Sequence, residues 1–197
     1  PFPANILGSV SSSPLHMASV FATIANSGQQ CKPQSIESVT DRDENVLKEF
    51  AADCKEVISP DVANKTAALL TASAGQYYTS TRLGDGRPFA AKSGTTDGHA
   101  NTWLTGFTPS LATSVWVGHG DNSSQEVSGV VINGVYHSEI FGETYVGQNI
   151  WAPYMTQALA GTPIEAVSNA NIGATTPQRG STPAPSQSPT PSPSPSH

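Results

Sequence analysis

The stretch that most restricts what this chain can become is Arg87–Gly118, RPFAAKSGTTDGHANTWLTGFTPSLATSVWVG. β-Branched and aromatic residues stand between turn formers, which is the pattern of short strands and not of helix. It reads as three extended segments, Arg87–Gly94, Asn101–Thr108 and Leu111–Gly118, with Pro109-Ser110 turning the second into the third. The first segment delivers Lys92-Ser93-Gly94-Thr95-Thr96 at its end. A lysine and three hydroxyl side chains around a glycine suit a cleft that holds an anion. Gly94 removes a side chain where a ligand backbone would approach the strand edge. Ser93, Thr95 and Thr96 offer donors that can converge on a carboxylate, each charge-assisted hydrogen bond contributing about 1.5–3 kcal/mol.

Helices are expected on either side of a hairpin upstream. Ser13-Pro14 is a serine cap followed by proline at the first helical position, and Leu15, Ala18, Phe21, Ala22 and Ala25 give one apolar face up to Asn26-Ser27-Gly28. Ser59-Pro60-Asp61 opens a second helix in the same way, with Ala63, Ala67, Leu70 and Ala74 on its apolar face and Gly75 closing it. Between them Ser35–Thr40 and Val46–Phe50 alternate apolar and polar around the charged turn Asp41–Asn45. Gln76–Gly86 reads as a polar connection. Beyond Gly118, a loop His119–Ser128 leads to Val130–Ile132 and Val135–His137 around Asn133-Gly134, the strongest short hairpin signal. A last helix is expected over Trp151–Leu159, ended by Gly161.

The two cysteines flank the first hairpin. Extending its antiparallel pairing brings Cys31 opposite Cys54, close enough for a bridge if the side chains share a face. Such a bridge would contribute roughly 3 kcal/mol in the chain-entropy model and implies an oxidising compartment. The alternative is two separate buried thiols.

Only 12% of residues are charged and the net charge is −6, so the chain has no basic footprint for nucleic acid. No apolar run approaches the roughly 18 residues of a membrane span. His16, His99, His119, His137 and His197 lack metal-ligand spacing. Thr176–His197 carries 7 of the 16 prolines, interleaved with serine and threonine, and cannot bury enough apolar area to offset its ordering entropy. Residues 163–197 are therefore expected to be a disordered tail after a domain spanning 1–162. The chain opens on Pro1, which reads as a fragment or processed chain with any anchor or export signal in preceding sequence.

Lys92-Ser93-Gly94-Thr95-Thr96, followed by Trp103–Pro109 and Val115–Gly118, resembles the transpeptidase domain of class A penicillin-binding proteins. Ile6-Leu7-Gly8-Ser9, Ser13-Pro14-Leu15, Met17-Ala18, Ala22–Gly28 and Trp151–Gly161 agree with it, so the resemblance covers roughly residues 1–162. The placement of Cys31 and Cys54 is similar to that in actinobacterial members. The resemblance implies an α/β (α+β) fold, an antiparallel sheet with packed helices, incomplete at its N-terminus. It implies acyl transfer: a serine attacks the penultimate D-Ala carbonyl of a peptidoglycan stem peptide, and an amine from a neighbouring stem resolves the acyl-enzyme. Lys92 would help the proton relay. Ser93, Gly94, Thr95 and Thr96 would form the substrate wall, Ser93 and Thr95 binding the terminal carboxylate of D-Ala-D-Ala or of a β-lactam. The Thr95 backbone N–H would be half of the oxyanion hole. No cofactor is implied, and the expected location is the outer face of a bacterial membrane or the cell wall, in a parent that also carries a glycosyltransferase.

The chain departs from the family in one respect. Three positions before Lys32, Lys48, Lys55, Lys65 and Lys92 stand Gln29, Asn45, Ala52, Val62 and Phe89, so no Ser-x-x-Lys is present. No asparagine has a serine two positions before it either. The nucleophile and its base are expected in sequence outside these residues, and the apolar faces of the first two helices are expected to be exposed where missing elements would cover them. Two other readings stand beside this one. A D,D-carboxypeptidase or β-lactamase relative shares the lysine-hydroxyl-glycine strand, though the Trp103–Gly118 hairpin favours the transpeptidase. A non-catalytic wall-associated module that binds stem peptides is supported by the missing nucleophile.

Overall fold

The computed structural model describes Pro3, Gly8 and residues 10–122, 124–168 and 170. Most of the expected tail, and Ile6-Leu7 and Ser9 of the first motif, lie outside the described residues. Helices α1 (Pro14–Ala25) and α2 (Pro60–Tyr77) start as their caps dictate. The Ser13 and Ser59 hydroxyls accept the His16 and Val62 N–H groups, and proline opens each helix without wasting a donor. α1 ends through Ser27 and Gly28, both left-handed, and a Cβ on Gly28 would overlap the Ile58 carbonyl.

Between the helices, β1 (Gln29–Cys31) pairs with β4 (Cys54–Glu56), and β2 (Ser38–Thr40) with β3 (Val46–Glu49). The inner hairpin is shorter than Ser35–Thr40 and Val46–Phe50, and its register slips at Val39/Thr40. Cys31 faces Cys54 in the outer ladder and the two form a disulfide.

The main sheet has the order β5-β6-β7, with β5 at Ala90–Thr95, β6 at Asn101–Thr108 and β7 at Leu111–Gly118. β5 starts three residues later than Arg87 because Arg87 is engaged elsewhere. Its buried guanidinium bonds Asp85, the Thr162 hydroxyl and the carbonyls of Leu159 and Thr162. Pro88 then has no N–H to give a ladder. β8 (Val130–Ile132) and β9 (Val135–His137) close around Asn133 and Gly134 at positive φ, as a type I′ turn requires.

Side-chain alternation along the sheet builds two cores. Ala90, Phe107 and Ala112 pack with Phe21 of α1 and Ala67 of α2. Ala91, Leu104, Val115 and Val117 face the other way, against Val146, Trp151, Met155 and Leu159. The second layer is a helix over Gly142–Trp151 that runs straight into α3 (Ala152–Ala158). It is wound with the wider π pitch: Val146 N–H bonds the Phe141 carbonyl and Ala152 N–H bonds that of Gly147, five residues back. The expected helix over Trp151–Leu159 is thus only the end of a longer one. Burying side chains as large as Trp151, Phe107 and Leu104 contributes about 1.5–3 kcal/mol each.

Three expectations need correction. α2 passes through Gly75 to Tyr77, and the connection after it is not polar: Tyr78, Thr81 and Leu83 are buried. The face named for α2 is covered, with Ala63, Ala67 and Ala74 buried and Leu70 half-buried, whereas that of α1 is open at Leu15 and Ala22, half-buried at Ala18 and Ala25 and buried only at Phe21; Val20, Val62, Leu69 and Tyr77 of these helices are exposed as well. Packing also continues past residue 162, since Val167 is buried against the Phe21–Phe107 cluster and Glu165 accepts the Ser110 hydroxyl. Among the described residues, no helix is long and apolar enough to cross a membrane.

Candidate functional site

Pairing parity decides what the end of β5 can offer. The Thr96 N–H bonds the Asn101 carbonyl, so Gly94 and Lys92 also turn their polar backbone groups toward β6. Ser93 and Thr95 therefore aim theirs outward, at the side of β5 that has no strand neighbour among the described residues. α2 lies along that side: Ala67 packs with Ala90, and Ala74 and Tyr78 share a cluster with Ala91. The helix stops level with Ser93, whose outward N–H is taken by the Tyr78 hydroxyl at 2.8 Å. The next outward N–H, that of Thr95, lies past the end of α2. Lys92 bends its ammonium back onto the outward Ser93 carbonyl at 2.8 Å.

The side chains divide between the two faces. Lys92 stands in a row with Thr105 and Ser114, whose hydroxyls bond each other at 2.7 Å. Beside that row Trp103 and Trp116 pair at 6.2 Å, both half-buried, with the Trp116 indole N–H on the Asn101 side-chain oxygen. Ser93 and Thr95 point to the opposite face. Lys92 therefore meets the two hydroxyls only around the strand edge. Lys92 and Thr95 are exposed and Ser93 is half-buried. Thr96 is exposed too, but its hydroxyl accepts the Asn101 N–H and is tied to the turn. A Cβ on Gly94 would meet nothing closer than Trp103 Cβ at 3.7 Å, so the protein's own packing does not require glycine there.

Sequence reasoning passed over two residues that shape this edge. Tyr78 lies in the stretch expected to be a polar connection, yet it falls four residues after Ala74 and continues the Ala63–Ala67–Ala74 face of α2, a spacing visible in the sequence. Gly142 opens the π-wound helix where a Cβ would run into the Trp103 carbonyl and come within 2.9 Å of Ser93 Cβ. No sequence periodicity marks it. Behind the strand, Arg87 holds the Asp85 carboxyl below its ordinary value, first through the side-chain hydrogen bond and then through its backbone N–H. Among the described residues no group of His, Cys, Asp or Glu side chains could hold a metal.

Residues 4–136 match the family described as the penicillin-binding protein transpeptidase domain. The chain is 34% identical over 190 residues to penicillin-binding protein 1A of Mycolicibacterium smegmatis, which covers 91% of this chain and 23% of that protein. It is 34% identical over 174 residues to penicillin-binding protein 2D of Bacillus subtilis, covering 82% and 22%. In three dimensions it matches the penicillin-binding protein PonA1 from Mycobacterium tuberculosis with a TM-score of 0.71 at 30% identity, over 85% of this chain and 43% of that one. The chain spans less than a quarter of the length of these two sequence relatives.

Proposed function

This chain belongs to the penicillin-binding protein transpeptidase family, and from that premise we propose that it supplies one wall of a D,D-transpeptidase site whose attacking serine comes from sequence outside these residues. The observation that carries the reading is the outward edge of β5. Along it the Lys92 ammonium bends onto the Ser93 carbonyl, the Tyr78 hydroxyl holds the Ser93 N–H, and Thr95 follows as an exposed residue, which supports this edge as the binding wall.

In this reading a stem peptide ending in D-Ala-D-Ala lies along that edge. Ser93 and Thr95 donate to its terminal carboxylate, and Lys92 supplies positive charge from the other face. The serine Oγ attacks the penultimate carbonyl and the C–N bond to the last D-Ala breaks, its nitrogen leaving with a proton. The Thr95 N–H donates to the carbonyl oxygen as charge builds there, a donor worth about 2.7–4 kcal/mol in a transition state of this type. An amine from a second stem then attacks the ester and returns the proton to the serine. A β-lactam presents the same carboxylate and an acylating carbonyl, so it would occupy the same edge. The Cys31–Cys54 disulfide supports a location outside the cytoplasm, facing the cell wall.

Labelling with a fluorescent penicillin tests the assignment. The purified chain is expected to take no covalent label, whereas a longer protein containing it is expected to be acylated at a serine outside residues 1–197, and Lys92→Ala there to slow acylation by about 10²-fold or more. A covalent adduct on a serine of this chain sinks the assignment. The second reading, a non-catalytic stem-peptide-binding module, is favoured by the absence of Ser-x-x-Lys and Ser-x-Asn. It predicts no acylation in the longer protein either.

A further inference from the structure

We propose that Tyr78 is the positioning residue of this site, which fixes the Ser93 hydroxyl as a donor and so makes the edge selective for a carboxylate. The inference rests on the reading above and adds to it a residue and a basis for selectivity.

The phenol is used in two directions. Its oxygen accepts the Ser93 N–H at 2.8 Å, and its own O–H donates to Ser93 Oγ at 3.3 Å. Both partners belong to one residue, so the pair of bonds fixes the Ser93 backbone and side chain against the end of α2. The ring that carries the phenol is 3% exposed and packed among Ala74, Ala91 and Leu104, which leaves it little freedom to turn away.

A serine hydroxyl has one proton and two lone pairs. With one lone pair filled by Tyr78, and with the Ser93 N–H also occupied, the free O–H is left to donate away from α2, toward the open edge. A ligand group that only accepts, as a carboxylate does, is matched by this arrangement. A carboxamide in the same place can turn an N–H toward the Ser93 oxygen, and that oxygen already holds one donor. Donation from Tyr78 also polarises the Ser93 O–H, because hydrogen bonds in series strengthen one another at low local dielectric. Occupying the Ser93 N–H has a second effect: it stops a bound peptide from pairing further back along β5, so the first backbone donor an incoming carbonyl meets is that of Thr95.

The test is a titration of the 15N-labelled chain with acyl-D-Ala-D-Ala and with its C-terminal amide, followed at the Ser93 and Thr95 amides. The wild-type chain is expected to bind the carboxylate form more tightly. Tyr78→Phe keeps the ring in its packing, and is expected to weaken carboxylate binding roughly fivefold, to narrow the gap between acid and amide, and to speed hydrogen exchange at the Ser93 amide. In a Ser93→Ala background the same Tyr78→Phe change is expected to cost almost nothing further in affinity, since neighbours that act through one group are not additive. A merely structural role for Tyr78 would add its effect in both backgrounds. If the wild-type chain binds but Tyr78→Phe retains both affinity and selectivity, the role of Tyr78 is overturned and the wall assignment stands. If the wild-type chain shows no shift with either ligand, the wall assignment falls and takes this inference with it.

Discussion

Asp85 and Arg87 form a buried-to-surface ion pair that sets a pH response. The Asp85 carboxylate accepts from Arg87 Nε at 2.7 Å and from its backbone N–H at 3.1 Å, with Nη2 at 2.6 Å. Both bonds hold its pKa below the ordinary 3.8. A depressed carboxyl stabilises the fold above its unfolded pKa, and that contribution drains away as pH falls through 3.8 toward the folded value. Asp85→Asn is therefore expected to lower the urea midpoint at pH 7, and the gap to wild type should close as the pH is taken below that point. A gap independent of pH would show that the charge is not what matters. At Gly142 the issue is space. Gly142→Ala forces a Cβ against the Trp103 carbonyl and Ser93 Cβ, an overpacking expected to cost about 1–3 kcal/mol and to displace the Ser93 resonance. Gly75→Ala, inside α2 with nothing within 4 Å of the new Cβ, is expected to gain about 0.5–1 kcal/mol instead. Thermal midpoints of the two variants should move in opposite directions.

Among the elements, the small outer ladder depends most on a covalent link. β1 and β4 are three residues each with no fully buried side chain, and a disulfide across a separation of 23 residues is worth about 3 kcal/mol by loop entropy. Reduction is expected to speed amide exchange in β1–β4 while β6, in the middle of the main sheet, keeps its protection. Equal loosening of both would mean that the two regions unfold as one. The elements also show where sequence could be read and where it could not. β6, β7, β8 and β9 were legible to the residue, because alternation ran up to Pro109-Ser110 and Asn133-Gly134 and stopped there. The π-wound helix was not: its buried Val146 and Trp151 stand five apart, a spacing that belongs to neither a strand nor a 3.6-residue helix. Lys92-Ser93-Gly94-Thr95 was legible as a set of groups. Which of its N–H groups faced outward was not, because that depends on pairing parity fixed at Thr96 and Asn101.

At the scale of the whole molecule, the sheet carries α1 on one face and the π-wound helix with α3 on the other, with α2 along its β5 edge contributing to both cores, and the chain after α3 returns to the α1 side. Ending the chain after Thr162 instead of after Ala170 removes Val167 from its place beside Phe21, Ala67, Ala90 and Phe107. That loss is expected to lower stability by about 1–3 kcal/mol, read as a lower denaturation midpoint. An unchanged midpoint would show that residues 163–168 only lie on the surface. The Arg87 clasp acquires a mechanical meaning from the same arrangement. Tension applied beyond Val167 would first peel that side chain from its cluster and then arrive at Thr162, where one guanidinium grips a hydroxyl and two carbonyls at the end of α3. Under such tension the clasp would bear load at Arg87, three residues ahead of β5, before the α3 backbone is drawn out.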